Sequence, residues 1–84
     1  MDVDAAFENL CHRVKQLRQQ AELKQTDFLE DTVDVDARNI RRIENLELKD
    51  IQIKTLFKIA KVLKIHPRDL FDFPVDWTTS GKAK

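Results

Sequence analysis

The amino-acid sequence predicts an all-α fold, and three observations carry this prediction. Only one glycine and two prolines occur among 84 residues, so the chain lacks the frequent turn residues of a β-sandwich or barrel. No stretch alternates apolar and polar side chains in the way that a half-buried strand does. Apolar side chains instead repeat at steps of three and four, which is the spacing of amphipathic helices. The length suits one small domain with a modest core.

The first predicted helix spans about residues 4–21. Its apolar stripe consists of Phe7, Leu10, Cys11, Val14, Leu17 and Ala21. Because Cys11 is the only cysteine and lies on this stripe, we expect a packed core thiol and no internal disulfide. A brief second helix follows at about residues 25–32, with Phe28 and Leu29 facing inward.

Three further helices are predicted after a turn at residues 32–35, whose β-branched side chains disfavour helix. The third covers residues 36–44, with Asp36 as its N-cap. The fourth covers about residues 52–64. Its predicted inward side chains are Ile53, Leu56, Phe57, Ile59, Ala60 and Leu63. The fifth begins at His66 and Pro67, with Leu70 and Phe71 turned inward. We therefore expect one domain at residues 1–73 and a partly disordered tail at 74–84.

The third helix carries two unlike faces. At about 100° per residue, Ile40 and Ile43 fall on one side of it. The opposite side holds Arg38, Arg41, Arg42 and Asn45. Guanidinium groups present planar donors that match phosphate oxygens and the edge of guanine, so this face suits nucleic acid. A solvated surface face is the alternative that the helix alone leaves open.

The charges are segregated along a chain whose formal net charge is zero. Residues 1–36 hold four basic and nine acidic side chains, whereas residues 37–68 hold nine basic and three acidic ones. A local positive field can attract phosphate while the acidic half suppresses indiscriminate binding. On the fourth helix, Lys54, Lys58 and Lys61 are compatible with either a solvated surface or phosphate contact.

Arg18 lies inside the apolar stripe of the first helix, where a charge should either be paired or snorkel out to solvent, because burying it alone is costly. Glu44 lies on the flank of the third helix nearer to the isoleucines than to the arginines. We therefore predict a structural ion pair between Arg18 and Glu44 that joins the two helices.

Composition argues against several other classes of protein. No apolar run approaches the roughly 18 residues of a membrane span, and the N-terminus does not resemble a signal peptide, so we expect a soluble, cytoplasmic protein. The two histidines and single cysteine lack the spacing of metal ligands, and no nucleophile, base and orienting group occur together. We expect no metal, no cofactor and no enzymatic activity.

The order of these features resembles the Cro/repressor-type helix-turn-helix family, also called XRE-like or lambda-repressor-like. The resemblance covers about residues 7–72. The segments that carry it are Leu10 to Arg18, Leu23-Lys24-Gln25, Ile40 to Asn45, Leu56 to Leu63 and Asp69-Leu70-Phe71. It implies a compact five-helix fold whose third helix, residues 36–44, reads the DNA major groove. Family members commonly also pair the arginine and glutamate that match Arg18 and Glu44.

The resemblance further implies a dimeric repressor that binds a palindromic double-stranded operator. The residues that we expect to contact DNA are Gln25, Ala37, Arg38, Asn39, Arg41, Arg42, Asn45 and Lys49, of which the resemblance assigns all but Asn39 and Lys49. Gln25, Asn45 and Lys49 are expected on the phosphate backbone, and the others on base edges and adjacent backbone. Family members often carry glycine before the second helix and after the recognition helix, where this chain has Glu22 and Leu46. An antitoxin, or another module that uses this fold to hold a protein partner, is the alternative.

Overall fold

Three α-helices and two 3-10 helices follow one another in the computed structural model, which describes residues 1–28 and 37–77. The elements are α1 (Val3–Gln20), a 3-10 helix at Gln25–Asp27, α2 (Ala37–Glu44), α3 (Ile53–Leu63) and a 3-10 helix at Pro67–Phe71. The parts of the chain that are described contain no strand, which confirms the all-α prediction. The predicted turn at residues 32–35, Leu29, Asp36 and the end of the tail from residue 78 lie outside the described residues.

The core gathers the apolar faces of α1, α2, α3 and the last 3-10 helix, together with Phe28. Its buried side chains are Leu10, Cys11, Val14, Leu17, Phe28, Ile40, Ile43, Leu56, Ile59, Ala60, Leu63 and Leu70. Asp2 caps α1 by accepting a 2.8 Å hydrogen bond from the Ala5 backbone nitrogen. Since α1 ends at Gln20, Ala21 lies beyond the stripe and is exposed, contrary to the prediction.

Cys11 is fully buried in this core, as the stripe predicts. Burial raises the pKa of its thiol to about 11, and the nearby carboxylate of Glu8 adds to the shift. A thiolate is therefore disfavoured at neutral pH, and Cys11 acts as a small apolar side chain rather than as a nucleophile.

The two shortest elements are 3-10 helices instead of α-helices. Gln25–Asp27 ends at Phe28, whose ψ of 109° leaves the helical region. The backbone nitrogen of Lys24 donates to Asp27 Oδ2 at 2.7 Å and closes this turn. The last element has five residues, Pro67–Phe71, and His66 caps it by accepting from the Arg68 backbone nitrogen at 3.1 Å. Segments this short favour the tighter i to i+3 ladder.

Three aromatic or aliphatic side chains predicted to face inward are exposed: Ile53, Phe57 and Phe71. On α3, Thr55 is buried although it was not among the predicted inward residues. A helix on a small domain buries only one stripe, and at about 100° per residue the buried stripe of α3 runs around the helix from Thr55 to Ala60, which leaves Ile53 and Phe57 beyond its edge. In the last 3-10 helix, where neighbouring residues point about 120° apart, Leu70 is turned into the core and Phe71 points away from its centre.

Each α-helix is followed, within two residues of its end, by a residue with a positive φ that is not glycine. Glu22, Leu46 and Lys64 have φ values of 60°, 60° and 59°. After α2, the Glu47 backbone nitrogen bonds to the Arg42 carbonyl at 2.9 Å and the Leu46 nitrogen to the Ile43 carbonyl at 3.1 Å, which is the Schellman pattern. Glu22 and Leu46 thus adopt the conformation for which glycine is favoured at these family positions.

Leu46→Gly is expected to raise the free energy of unfolding by about 1 kcal/mol relative to Leu46→Ala, because glycine alone enters the left-handed region without a Cβ clash. Both variants lose the half-exposed side chain, so their difference isolates the backbone effect. Urea denaturation measures it. Equal midpoints for the two variants would contradict a strained conformation at Leu46.

Candidate nucleic-acid interface

α2 is anchored by one face and exposes the other. Ile40 and Ile43 are 0% and 1% exposed in the core, whereas Arg38 and Arg41 are exposed to solvent. Arg42 is half-buried, and its Nε lies 3.9 Å from Glu47 Oε1, at a surface pair. The buried isoleucines therefore set which way the arginines point.

Glu44 at the end of α2 is clamped to α1, as predicted. Arg18 Nε donates to Glu44 Oε2 at 2.6 Å and Arg18 Nη2 donates to Glu44 Oε1 at 3.0 Å. The two side chains are 11% and 1% exposed, so this fork-to-fork pair is shielded from water. The hydrogen bond to Glu44 is the main reason that the pKa of Arg18 lies above its ordinary value, against the opposing effect of burial.

The clamp also holds the segment between α1 and α2. Arg18 Nη1 donates to the Leu23 carbonyl at 2.8 Å, and Gln25 Nε2 donates to Glu44 Oε1 at 3.0 Å. The bond of Gln25 to Glu44 was not predicted from the sequence, where Gln25 was assigned to a phosphate contact. An amide nitrogen carries two N–H donors, so a bond to Glu44 does not exhaust Gln25.

The other residues assigned to DNA lie within α2 or shortly after its C-terminus. Ala37 and Asn39 are half-buried at its first turns, and Asn45 and Lys49 follow its C-terminus and are exposed. The structure thus brings Gln25 into direct contact with α2 through Glu44. The DNA contacts of all eight residues stay predictions.

Arg13 is a positioning residue that the sequence analysis missed. Its Nε donates to the Asp69 carbonyl at 2.9 Å, and its Nη2 lies 3.8 Å from Asp72 Oδ2. Arg13 thereby ties α1 to the last 3-10 helix. No pattern in the sequence signals this bond, because the acceptor is a backbone carbonyl 56 residues away.

Neither a metal site nor a membrane-spanning helix is found among the residues that the structure describes. Within residues 1–28 and 37–77, no three His, Cys, Asp or Glu side chains are grouped as a metal site requires. None of the helices in these ranges is long and apolar enough to cross a bilayer.

A helix-turn-helix family model matches residues 14–70, which is more than half of the chain. The chain belongs to the XRE-type helix-turn-helix family. It is accordingly a DNA-binding transcription regulator of this type. The matched part of the XRE-type domain contains the Arg18–Glu44 clamp, all of α2 and all of α3. No curated protein and no solved structure gives a significant match to the chain.

Proposed function

We propose that the protein represses transcription by binding a specific palindromic operator as a homodimer, with α2 in the major groove of each half-site. The observation that carries the proposal is that α2 exposes Arg38 and Arg41 while its opposite face and its last residue are held by the core and by Arg18. A helix with a fixed orientation can present side chains to base edges without a large ordering cost.

Exposed arginines on this helix have donors suited to base edges. Arginine makes bidentate contacts with the O6 and N7 atoms of guanine, each worth about 1–3 kcal/mol of discrimination. We assign Arg38 and Arg41 mainly to bases and Arg42 to adjacent backbone, since Arg42 is half-buried beside Glu47. The methyl group of Ala37 suits a thymine methyl.

Gln25, Asn45 and Lys49 are proposed to set the register on the phosphate backbone. In a homodimer the two half-sites would lie roughly 34 Å apart on one face of the DNA, about one helical turn. Repression then follows if the bound dimer covers promoter DNA. The proposed site of action is the cytoplasm.

Binding-site selection from random duplexes, followed by a salt titration of the selected duplex, tests this function. We expect a palindromic consensus and an affinity that falls steeply with salt, because bound phosphates release counterions. Failure to enrich any sequence, or an affinity that does not depend on salt, would contradict the proposal.

Gln25→Ala is expected to weaken binding to all duplexes alike, by about tenfold, because a phosphate contact carries no sequence information. Affinities for the selected operator and for a scrambled duplex measure this effect, with circular dichroism to verify folding. Gln20→Ala, at an exposed position at the end of α1, is the matched control and should change neither affinity. A loss confined to the selected operator would assign Gln25 to base readout instead.

A protein-interaction module, such as an antitoxin, is the second candidate function. The exposure of Val75 and Trp77, two positions apart on one segment, favours it, because exposed apolar surface that is grouped together often marks a protein-interaction site. A stable complex with a second protein from the native host, together with no salt-dependent binding to any duplex, would support this function over the first.

A further inference from the structure

We propose that the homodimer forms by reciprocal docking, in which the C-terminal segment of each copy binds the exposed face of α3 in the other copy. The basic face is defined by Ile53, Lys54, Phe57 and Lys61 of α3. The acidic segment is defined by Phe71, Asp72, Val75 and Trp77. This inference rests on the proposed dimeric function and names the surfaces that would form the dimer.

The basic face consists of two exposed apolar side chains bordered by two lysines. Ile53 and Phe57 are 62% and 56% exposed and lie one helical turn apart, so they share one side of α3. Lys54 and Lys61 are exposed beside them, and the sequence of α3 contains no acidic residue. Phosphate would satisfy the lysines but would leave the two apolar side chains uncovered. The face therefore fits a ligand that is both apolar and acidic.

The acidic segment has the complementary character. Phe71, Val75 and Trp77 are 50%, 41% and 62% exposed. Asp72 lies among them with a side chain that is 81% exposed and whose Oδ2 lies 3.8 Å from Nη2 of Arg13, and the sequence from Asp69 to Trp77 contains no basic residue. Aromatic side chains are enriched at protein interfaces, and Trp is common among the residues that dominate their binding energy.

The acidic segment is held on its own domain before it meets a partner. Phe73 packs partly buried against the core, and Arg13 fixes the Asp69 carbonyl at 2.9 Å. Despite this anchoring, both Trp77 and Phe57 stay exposed within one chain. A prearranged segment loses little conformational entropy on docking, which favours binding to a second copy.

Reciprocal docking agrees with the charges, whereas self-association of the basic face does not. Two α3 helices packed face to face would oppose lysines with lysines, and like charges in contact disfavour association. Exchange of segments across a two-fold axis instead makes two identical contacts of opposite charge. Both contacts are used in the dimer, so the assembly closes and does not grow into a filament.

Mixing two complementary variants tests this geometry. The face variant, Ile53→Ala/Phe57→Ala, and the segment variant, Val75→Ala/Trp77→Ala, are each expected to dimerise at least about tenfold more weakly than the parent, since large buried apolar anchors dominate interfaces. A mixture should form heterodimers more readily than either variant forms homodimers. In the heterodimer, one intact segment meets one intact face, whereas each variant homodimer has no intact contact.

Sedimentation velocity and native mass spectrometry of the full chain measure these equilibria, and circular dichroism verifies that the variants are folded. Val3→Ala, at an apolar residue that is 72% exposed on α1, is the control and should dimerise like the parent. A monomeric parent, unchanged dimerisation of either variant, or no gain on mixing would overturn the inference. Loss of dimerisation in the face variant alone would indicate α3-to-α3 packing and would also overturn it.

Duplex binding separates this inference from the proposed function. Both variants should keep salt-dependent binding to a single half-site, because Arg38 and Arg41 are untouched. If the parent dimerises by exchange but binds no duplex, the proposed function fails and the dimer geometry stands. If the parent binds an operator but the mixture shows no gain, only the dimer geometry fails.

Discussion

Glu44→Ala is expected to lower the free energy of unfolding by about 3–5 kcal/mol, because it leaves the guanidinium of Arg18 buried without its partner. The loss also strands the amide of Gln25, which donates to Glu44 at 3.0 Å. Domains are typically stable by about 0.05–0.15 kcal/mol per residue, so a loss of this size removes a large part of the total. Urea denaturation followed by circular dichroism measures the change.

A surface glutamate provides the matched control. Glu47 lies 3.9 Å from Arg42, and both side chains are about half exposed, so Glu47→Ala should cost less than about 1 kcal/mol. A double-mutant cycle with Arg18→Met and Glu44→Leu then measures the coupling. The double variant should lose much less stability than the sum of the two single variants. Additive losses would show that Arg18 and Glu44 stabilise the fold independently of each other.

Arg38→Ala/Arg41→Ala is expected to weaken binding to the selected operator by about thirtyfold or more. Two bidentate base contacts worth about 1–3 kcal/mol each would be lost together. The affinity for a scrambled duplex should fall much less, so the ratio of the two affinities should shrink. Competition titrations at one fixed salt concentration measure both quantities.

Lys15→Ala/Arg68→Ala removes the same positive charge from exposed positions on α1 and the last 3-10 helix. This control distinguishes base recognition from a general loss of positive field, and it should keep the ratio of specific to nonspecific affinity. If the two double variants lost affinity equally for both duplexes, Arg38 and Arg41 would act only through their charge, and α2 would not be the reading helix.

Much of the fold follows from the spacing of apolar side chains. The repeats in α1 and α2 correctly place Val14, Ile40 and Ile43 in the core, because on an amphipathic helix burial follows from angular position. The Arg18–Glu44 pair was predictable for a related reason. A charge inside an apolar stripe must be paired or extend to solvent, and Glu44 was an acidic residue on the inner flank of another helix.

Several residues whose burial was predicted wrongly lie on a helix with a broad apolar surface. α3 has apolar side chains around much of its circumference, and periodicity alone could not decide that Thr55 would be buried while Ile53 and Phe57 would be exposed. That outcome depends on which side the other helices cover. The bonds of Gln25 to Glu44 and of Arg13 to Asp69 were equally inaccessible, since they join groups distant in sequence.

The sequence by itself determined the all-α class, the apolar stripe of α1 and the two faces of α2, because these properties depend on local spacing along single helices. It also determined that an acidic part, residues 1–36, is followed by a basic part, residues 37–68. The tertiary structure decided which parts of each helix are covered, how Glu44 joins Arg18 to Gln25, and that Leu46 is held in a left-handed conformation. These features arise from packing between distant segments, and no local pattern encodes which surfaces meet.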